Sequence, residues 1–488
     1  MLPFTFFGKG ASVDWAVVHE KTTEAIRLIH DMEYRKAEGM AHDVIVMAPN
    51  DPRGHFAKAM VYYARMMARD EVRNDSVFQA FRWHVERVKK VCNRLLDNNA
   101  NDTKAMFYKG GVIGFLGLVY AERDEVLKAI WDGKEGHDLI QQAVETDPNN
   151  YDAKMGLGLF RYLIAKVPKD FEHVIALAGM KGDRYGGLKL LEEAAAKGLY
   201  ANLEARRWLL DFYRQEDMPD RARNHARVLT QTCRNNWRYA LNHVDVVLYQ
   251  QRRPEEAEPL IESFVAMPIV EASMDRLRFL GRMRMGVCKL YREQWRSALG
   301  WYERAWEGTS SAQYKADAAL MAGTAADMDG SPKDARLWYD RAASHHGNDD
   351  RVKGTWSVSD KAVTRLNFIQ AGGRHDRTIA VCDSLASLSA FATADAKGYA
   401  AYVRGSALVE LGRLQTAEED LRNAMQSGSS ERWLIPFCQW RLGQCYSRQD
   451  KTALAKDVLA QALQAEGFAN ERLLKTRVRR TLANLTKR

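Results

Sequence analysis

His345 and His346 stand side by side and three residues ahead of Asp349 and Asp350, and imidazole with carboxylate is a donor set that zinc accepts. Neighbouring residues on a helix or turn diverge in direction, so the pair reads as part of a solvated loop rather than a shared ligand set. The remaining histidines are spread singly; His19, His30 and His42 sit among apolar neighbours in helical patterns and are expected to be partly buried. Six cysteines (Cys92, Cys233, Cys288, Cys382, Cys438 and Cys445) show neither a C-x-x-C pair nor a secretory disulfide spacing, which predicts free thiols in the core. Cys438 and Cys445, seven residues apart, share one helical face. Gly182-Asp183-Arg184 has the composition of an anion-binding turn at a helix start, and equally that of a helix cap with a salt-bridging arginine. The sequence lacks G-x-x-x-x-G-K-[ST], H-E-x-x-H and G-x-S-x-G, and no nucleophile has a recognisable helper. The expectation is a chain without a catalytic, cofactor or metal site; an active site assembled from distant segments would leave no local motif.

The elements that would position any site are helical. In 488 residues there are only 11 prolines, 46% of the residues are hydrophobic, and Val/Ile/Thr alternation is almost absent, which predicts an all-α chain. No apolar run is long enough to span a bilayer. The apolar start at residues 1–7 has no basic flank and ends at Gly8-Lys9-Gly10, too early for a secretory leader, so a cytoplasmic protein is expected, with the cell envelope as the alternative if a leader was removed or misassigned. A net charge of +9 favours acidic partners, nucleic acid or an anionic membrane surface, although spread over this length it is thin. The densest basic stretches are Arg82, His84, Arg87, Lys89, Lys90 and Arg94 in a helix at 76–96, read as a solvated face rather than a nucleic-acid stripe, and residues 470–488. Seven arginines from Arg276 to Arg304 are spaced all round their helices and read as scattered surface charge.

One spacing recurs. Twelve residues separate small residues in Gly286/Ala298, Gly323/Ala335, Gly405/Ala417 and Gly443/Ala455, and a large residue follows after four more: Tyr302, Tyr339, Leu421 and Leu459. Glycine inside a helix costs about 1 kcal/mol against alanine, so its recurrence needs a packing reason. Two antiparallel helices in close contact supply one, with Gly323 facing Ala335 across the turn Asp329-Gly330-Ser331-Pro332 and Tyr339 filling the gap to the next pair. This small, large, small pattern with a glycine-containing turn resembles the tetratricopeptide repeat family, whose unit recurs every 34 residues; here the step is 37 or 38. Pro49 and Pro148 stand where the family places its closing proline.

The resemblance implies a right-handed superhelical α-solenoid of about eleven helix-turn-helix pairs with a C-terminal capping helix. The expected organisation is a lead at 1–15, pairs 1–2 at 16–100, pairs 3–4 at 101–200, pairs 5–8 at 201–346, a loop or joint at 347–359, pairs 9–11 at 360–469 and the basic cap at 470–488. In pairs 3 and 4 the usual step is stretched to 26 residues (Gly110 to Gly136) and 29 (Gly158 to Gly187). The apolar excess at 112–131 and 160–181 is expected to lengthen helices or add them, and forms either extra core or a docking surface. Residues 151–213 are also similar to a subgroup of bacterial tetratricopeptide proteins, and distantly to eukaryotic repeat proteins linked to inclusion-body clearance and organelle surfaces.

In the family the first helix of each pair lines the concave face. The matching positions are Tyr399, Tyr402 and Ser406 in one repeat and Phe437, Trp440 and Gln444 in the next. Four aromatics there would hold an extended peptide or a partner helix; alternatively they pack against the capping helix, folded back upon them. The chaperone-binding subgroup grips a terminal carboxylate with lysine, arginine and asparagine at these positions, which this chain replaces. The resemblance implies a non-enzymatic interaction scaffold with a protein or peptide partner. The rival expectations are a basic adaptor on a membrane surface or nucleic acid, and an enzyme with a site assembled between repeats.

Overall fold

Among the described residues every regular element is a helix, and consecutive helices join by short turns into eleven helix-turn-helix units. The computed structural model describes residues 13–69, 72–167, 171–177, 179–267 and 274–485. The first six units begin with α1 (Trp15–His30) and α2 (Tyr34–Met47), then α3 (Arg53–Arg69) and α4 (Asp75–Asn98), α5 (Thr103–Glu122) and α6 (Val126–Thr146). In the fourth, a short α8 (Glu172–Leu177) stands between α7 (Tyr151–Ile164) and α9 (Arg184–Lys197). Next come α10 (Asn202–Gln215) and α11 (Pro219–Thr232), and α12 (Trp237–Asp245), extended by a π-helical turn Val246–Gln250, with α13 (Pro254–Val265). The last five units are α14 (Met274–Tyr291) and α15 (Trp295–Glu307), α16 (Ala312–Met328) and α17 (Pro332–His346), then, past a one-turn α18 (Asp350–Lys353), α19 (Val358–Ala371) and α20 (His375–Ser387). α21 (Ala394–Glu410) and α22 (Leu414–Met425), and α23 (Leu434–Arg448) and α24 (Thr452–Gln464), precede the terminal α25 (Glu471–Leu485). The chain is an all-α solenoid-type array.

Two compact units divide it. Unit 1 holds residues 1–212 and 224–239; unit 2 holds residues 213–223 and 240–488.

The repeated glycine has a different opposite number from the one its spacing suggests. The nearest neighbour of a Cβ on Gly323 would be the ring of Tyr339, with Cε1 2.5 Å away. Gly286 meets Tyr302 in the same way, and Gly405 and Gly443 meet Leu421 and Leu459. The large residue sixteen places on therefore fills the groove of its own pair rather than the gap to the next, because the missing side chain opens space directly beneath it. Tyr302 and Tyr339 are both buried, in one cluster with Ala298, Ala319, Ala335 and Ala342.

Stretched steps in units three and four preserve this contact in tighter form. A Cβ on Gly110 would lie 2.9 Å from the Gly136 carbonyl oxygen and one on Gly136 2.9 Å from that of Gly110; for Gly158 and Gly187 both figures are 2.7 Å. The first excess is absorbed by lengthening α5 and α6 to 20 and 21 residues, the second by inserting α8. Residues 112–120 are core, with Val112, Ile113, Phe115 and Val119 buried. Ile130 on α6 packs with Ile175 and Met180, against Val126, Ile164, Val167 and Phe171, so the two excesses cover each other. Phe160 enters the space left by Gly114, whose Cβ would lie 2.9 Å from its Cζ.

Turns show a second regularity that composition hides. Nine of the described units place a positive-φ residue two positions before the second helix: Met32, Asp124, Asp217, Arg252, Glu293, Gly330, Gly373, Gly412 and Asp450. Only three are glycine, the residue for which this conformation is inexpensive.

Several expectations are resolved locally. His30 is buried, His19 half-buried, and His42 exposed, because its position on α2 falls off the stripe made by Ala37, Ala41 and Val44. Asp183 caps α9, its Oδ1 accepting from the Gly186 N–H at 2.9 Å. Arg82, Arg87, Lys90 and Arg94 lie on the exposed side of α4 while His84 is buried. Part of the 1–15 lead, Pro168, Lys169 and the end of the cap fall outside the described residues.

Gly39 on α2 and Gly300 on α15 have nothing within 4 Å of the place where a Cβ would stand, so no packing reason holds glycine there. Gly39→Ala and Gly300→Ala should each raise stability by about 0.5–1 kcal/mol, read as a higher urea midpoint. A lowered midpoint would show that these surfaces are covered.

Candidate functional site

The six positions expected on the inner face belong to α21 and α23, neighbouring first helices of unit 2. They fall into two groups by access. Ser406 is fully buried, Trp440 nearly so at 4% and Phe437 at 9% exposed, while Tyr399, Tyr402 and Gln444 keep part of their surface open.

Aromatic contacts explain the division. Tyr402 and Phe437 stand edge-on at 6.4 Å, and Phe437 meets Trp440 at 6.3 Å and Phe468 at 6.4 Å. α25 then covers Trp440: the indole Nε1 donates to Thr481 Oγ1 at 3.3 Å, and Arg477 lies 5.2 Å from the ring centroid. Leu474, Val478 and Leu485 of α25 complete this core with Leu442 and Leu459. The capping helix thus occupies the Trp440 end, and the Tyr399–Tyr402 end stays partly open.

Trp433 was not among the expected contact residues. It sits at the start of α23 and meets Tyr399 at 6.0 Å, Tyr402 at 5.5 Å and Phe437 at 5.9 Å, at the centre of the aromatic group. The signal was available: Trp433, Phe437, Trp440 and Gln444 follow one another by four, three and four residues, a single helical stripe.

Polar groups border the aromatic surface. Arg441, almost fully buried, donates to Glu410 at 2.7 Å and to the Gln444 carbonyl oxygen at 2.9 Å. Burial pulls the Glu410 carboxyl upward, but Arg441 and Arg448 hold it below its ordinary value, so it stays charged. Burial pushes the Tyr399 phenol well above its usual range, and lowers the imidazole of His375. Among the described residues Ser406 Oγ and Arg441 Nε are buried without a hydrogen-bond partner.

His346 Nε2 contacts Asp317 Oδ1 at 2.7 Å while His345 Nδ1 faces Ser344 Oγ at 2.9 Å, so the two imidazoles address different partners. Among the described residues no group of three or more His, Cys, Asp or Glu side chains could hold a metal ion. All six cysteines are free and buried. No described helix is long and apolar enough to cross a membrane.

Eleven helix-turn-helix units, four of which set a large residue of the second helix against a glycine of the first, resemble the packing of tetratricopeptide repeats. Neither a family model nor a curated protein matches the sequence. Solved structures show distant similarity. PilF of Pseudomonas aeruginosa is similar at 15% identity, covering 50% of this chain and 96% of that one with a TM-score of 0.32. The quorum sensor NprR from B. thuringiensis is similar at 11% identity, covering 84% and 99% with a TM-score of 0.32. YrrB, a TPR protein with an unusual peptide-binding site, matches at 14% identity over 54% and 96% with a TM-score of 0.27.

Proposed function

We propose that this protein is a non-enzymatic interaction scaffold that binds an extended peptide or a partner helix on the inner face of units ten and eleven. Tyr399, Tyr402 and Gln444 make the direct contact, and Ser406, Phe437 and Trp440 hold them from behind. One observation carries this reading: within the aromatic group Tyr399 and Tyr402 keep part of their surface open, as Trp433 and Phe468 do, beside a hydrogen-bonding edge. Tyrosine combines a rigid apolar body with a polar tip, which suits it to alternating side chains and main-chain groups of a bound peptide.

Tyr402→Ala should weaken a partner identified by co-purification by about 1–2 kcal/mol, read by titration calorimetry, with the urea midpoint nearly unchanged. Equal affinity of the variant and the parent would remove this face from consideration. Trp440→Ala serves as the contrast, since its loss should chiefly loosen α25.

A further inference from the structure

α25 covers one end of a row of aromatic rings whose other end is open. From Tyr402 the row passes to Phe437 at 6.4 Å and from Phe437 to Trp440 at 6.3 Å, and the Trp440 end lies beneath the terminal helix. α25 turns a simple pattern toward it. Leu474, Val478 and Leu485 are buried, Thr481 Oγ1 accepts the Trp440 indole N–H at 3.3 Å, and Arg477 lies 5.2 Å from the centroid of the indole. An amphipathic helix laid in an apolar groove is a way in which partner helices are bound. Here the seat is filled by the chain's own last helix.

That helix is attached more lightly than the one it covers. α25 buries three of its fifteen residues, whereas α23 buries ten of fifteen. As the last element it has a stacked pair on one side only. The link from α24 bends through two left-handed joints, Gly467 at φ +76° and Asn470 at φ +65°. The sequence of α25 sets Arg472, Lys475, Arg477, Arg479 and Arg480 against a single acid, Glu471, so the helix is basic as well as amphipathic.

Its remaining support is one carboxylate. Arg477 and Arg480 each reach Asp217 at 3.1 Å, and Arg480 also donates to the Asp217 carbonyl oxygen. Asp217 has φ +53°, at the turn position that Gly330, Gly373 and Gly412 fill in other units, so a side chain is kept there against the backbone's preference for glycine. Glu293, at φ +57° in the equivalent turn, takes Arg365 at 2.9 Å and Arg377 at 2.5 Å. Strain of this kind persists where another part of the molecule depends on the residue, and in both turns the dependent part is a later helix held by arginine.

We infer that α25 is a displaceable lid over the Trp440 end of the inner face, latched by Asp217. The partner that replaces it is a basic amphipathic helix of the same pattern, with apolar residues for the places of Leu474, Val478 and Leu485 and arginine for Asp217. The inference rests on the inner-face reading above and adds the form and charge of the ligand, together with the contact that restrains its entry. A lid lowers the apparent affinity of a ligand by the fraction of chains in which it is open, so weakening the lid while leaving its seat intact strengthens binding.

The test uses the full chain, a fluorescent peptide of sequence 471–485 followed by anisotropy, and hydrogen exchange of α25. Arg477→Gln together with Arg480→Gln frees the lid but keeps Asp217. The peptide should bind this lid variant about tenfold more tightly than the parent chain, and α25 amides should exchange about tenfold faster. A peptide with glutamine in place of both arginines should lose that gain, and equal binding of the two peptides would overturn the basic assignment. Asp217→Asn, whose side chain tolerates a positive φ, should speed α25 exchange as much but bring no gain in peptide affinity, because lid and peptide lose the same carboxylate. If the lid variant binds the peptide no better than the parent chain, the lid is overturned, while the inner-face reading stands or falls separately by Tyr402→Ala. Exchange that quickens equally through α21 and α23 would make α25 a structural cap instead. A lid variant that dimerises in light scattering would overturn the partner assignment in favour of the α25 of a second copy.

Discussion

Gly158→Val should be the most damaging single substitution of those considered, lowering stability by about 3 kcal/mol or more and melting α7 and α9 first. The obstacle is main chain. A Cβ there would meet the Gly187 carbonyl oxygen at 2.7 Å and the Leu191 amide nitrogen at 3.0 Å, and on the facing side Gly187 is blocked equally by the Gly158 carbonyl and the Tyr162 amide. Side chains can change rotamer, but here the helices must separate, and Leu188, Leu191 and Tyr162 all lose contacts when they do. Gly323→Ala offers the comparison, because its Cβ would press on the ring of Tyr339, which has room to rotate only at its own expense. Urea unfolding and amide hydrogen exchange on α7 and α9 measure the effect. A Gly158→Val protein with the parental midpoint would mean that the close crossing does not exist.

Between pH 7.5 and 5, unit 1 should lose on the order of 2 kcal/mol for each of His30 and His84. Burial lowers His30 to about 4, with Glu204 opposing and Arg207 assisting. Burial, His55, Lys58 and Arg87 lower His84 to about 3. The Tyr239 hydroxyl lies 2.8 Å from the Nδ1 of His30. His84 and His55 bring their Nδ1 atoms within 3.2 Å, an arrangement in which one donates and the other must accept. In the unfolded chain both rings take a proton near 6.5, so below that pH the unfolded state binds more protons and acid favours it. This contribution is complete above about pH 6.5 and declines as pH falls toward 4 and 3. Urea midpoints at the two pH values test it: His30→Gln and His84→Gln should each remove about half of the acid-induced loss attributed to the pair. An undiminished loss in the double variant would assign the effect to other groups.

The helices and their pairing were legible because they depend on residues close in the chain. A twelve-residue step between small side chains, proline at the first turn of α13 and α17, and polar turns are local signals, and they delimited eleven units. What faces what was less legible. The spacing of Gly323, Ala335 and Tyr339 shows that two helices touch but not which side chain fills the space, since a rotation of either rod by a fraction of a turn exchanges one neighbour for another. The candidate face was visible through Tyr399, Tyr402, Phe437 and Trp440, yet its closure by α25 was an open alternative, because nothing local tells a terminal helix which surface to cover. Arg252 was hidden altogether. Its positive φ and its backbone contact with Gly373, more than a hundred positions away, leave no pattern in sequence.

The contact of Arg477 and Arg480 with Asp217 joins residues 260 and more positions apart, at the last helix and the first turn of unit 2. A linear array of repeats frays from its termini, each outermost hairpin opening with the support of one neighbour only. This clasp on Asp217 removes that freedom at the C-terminal end, so α25 opens only when its two arginines let go of this carboxylate. Because so long a loop is costly to close before the intervening hairpins have stacked, the clasp engages last in folding. Its carboxylate therefore marks the moment at which the whole unit is complete.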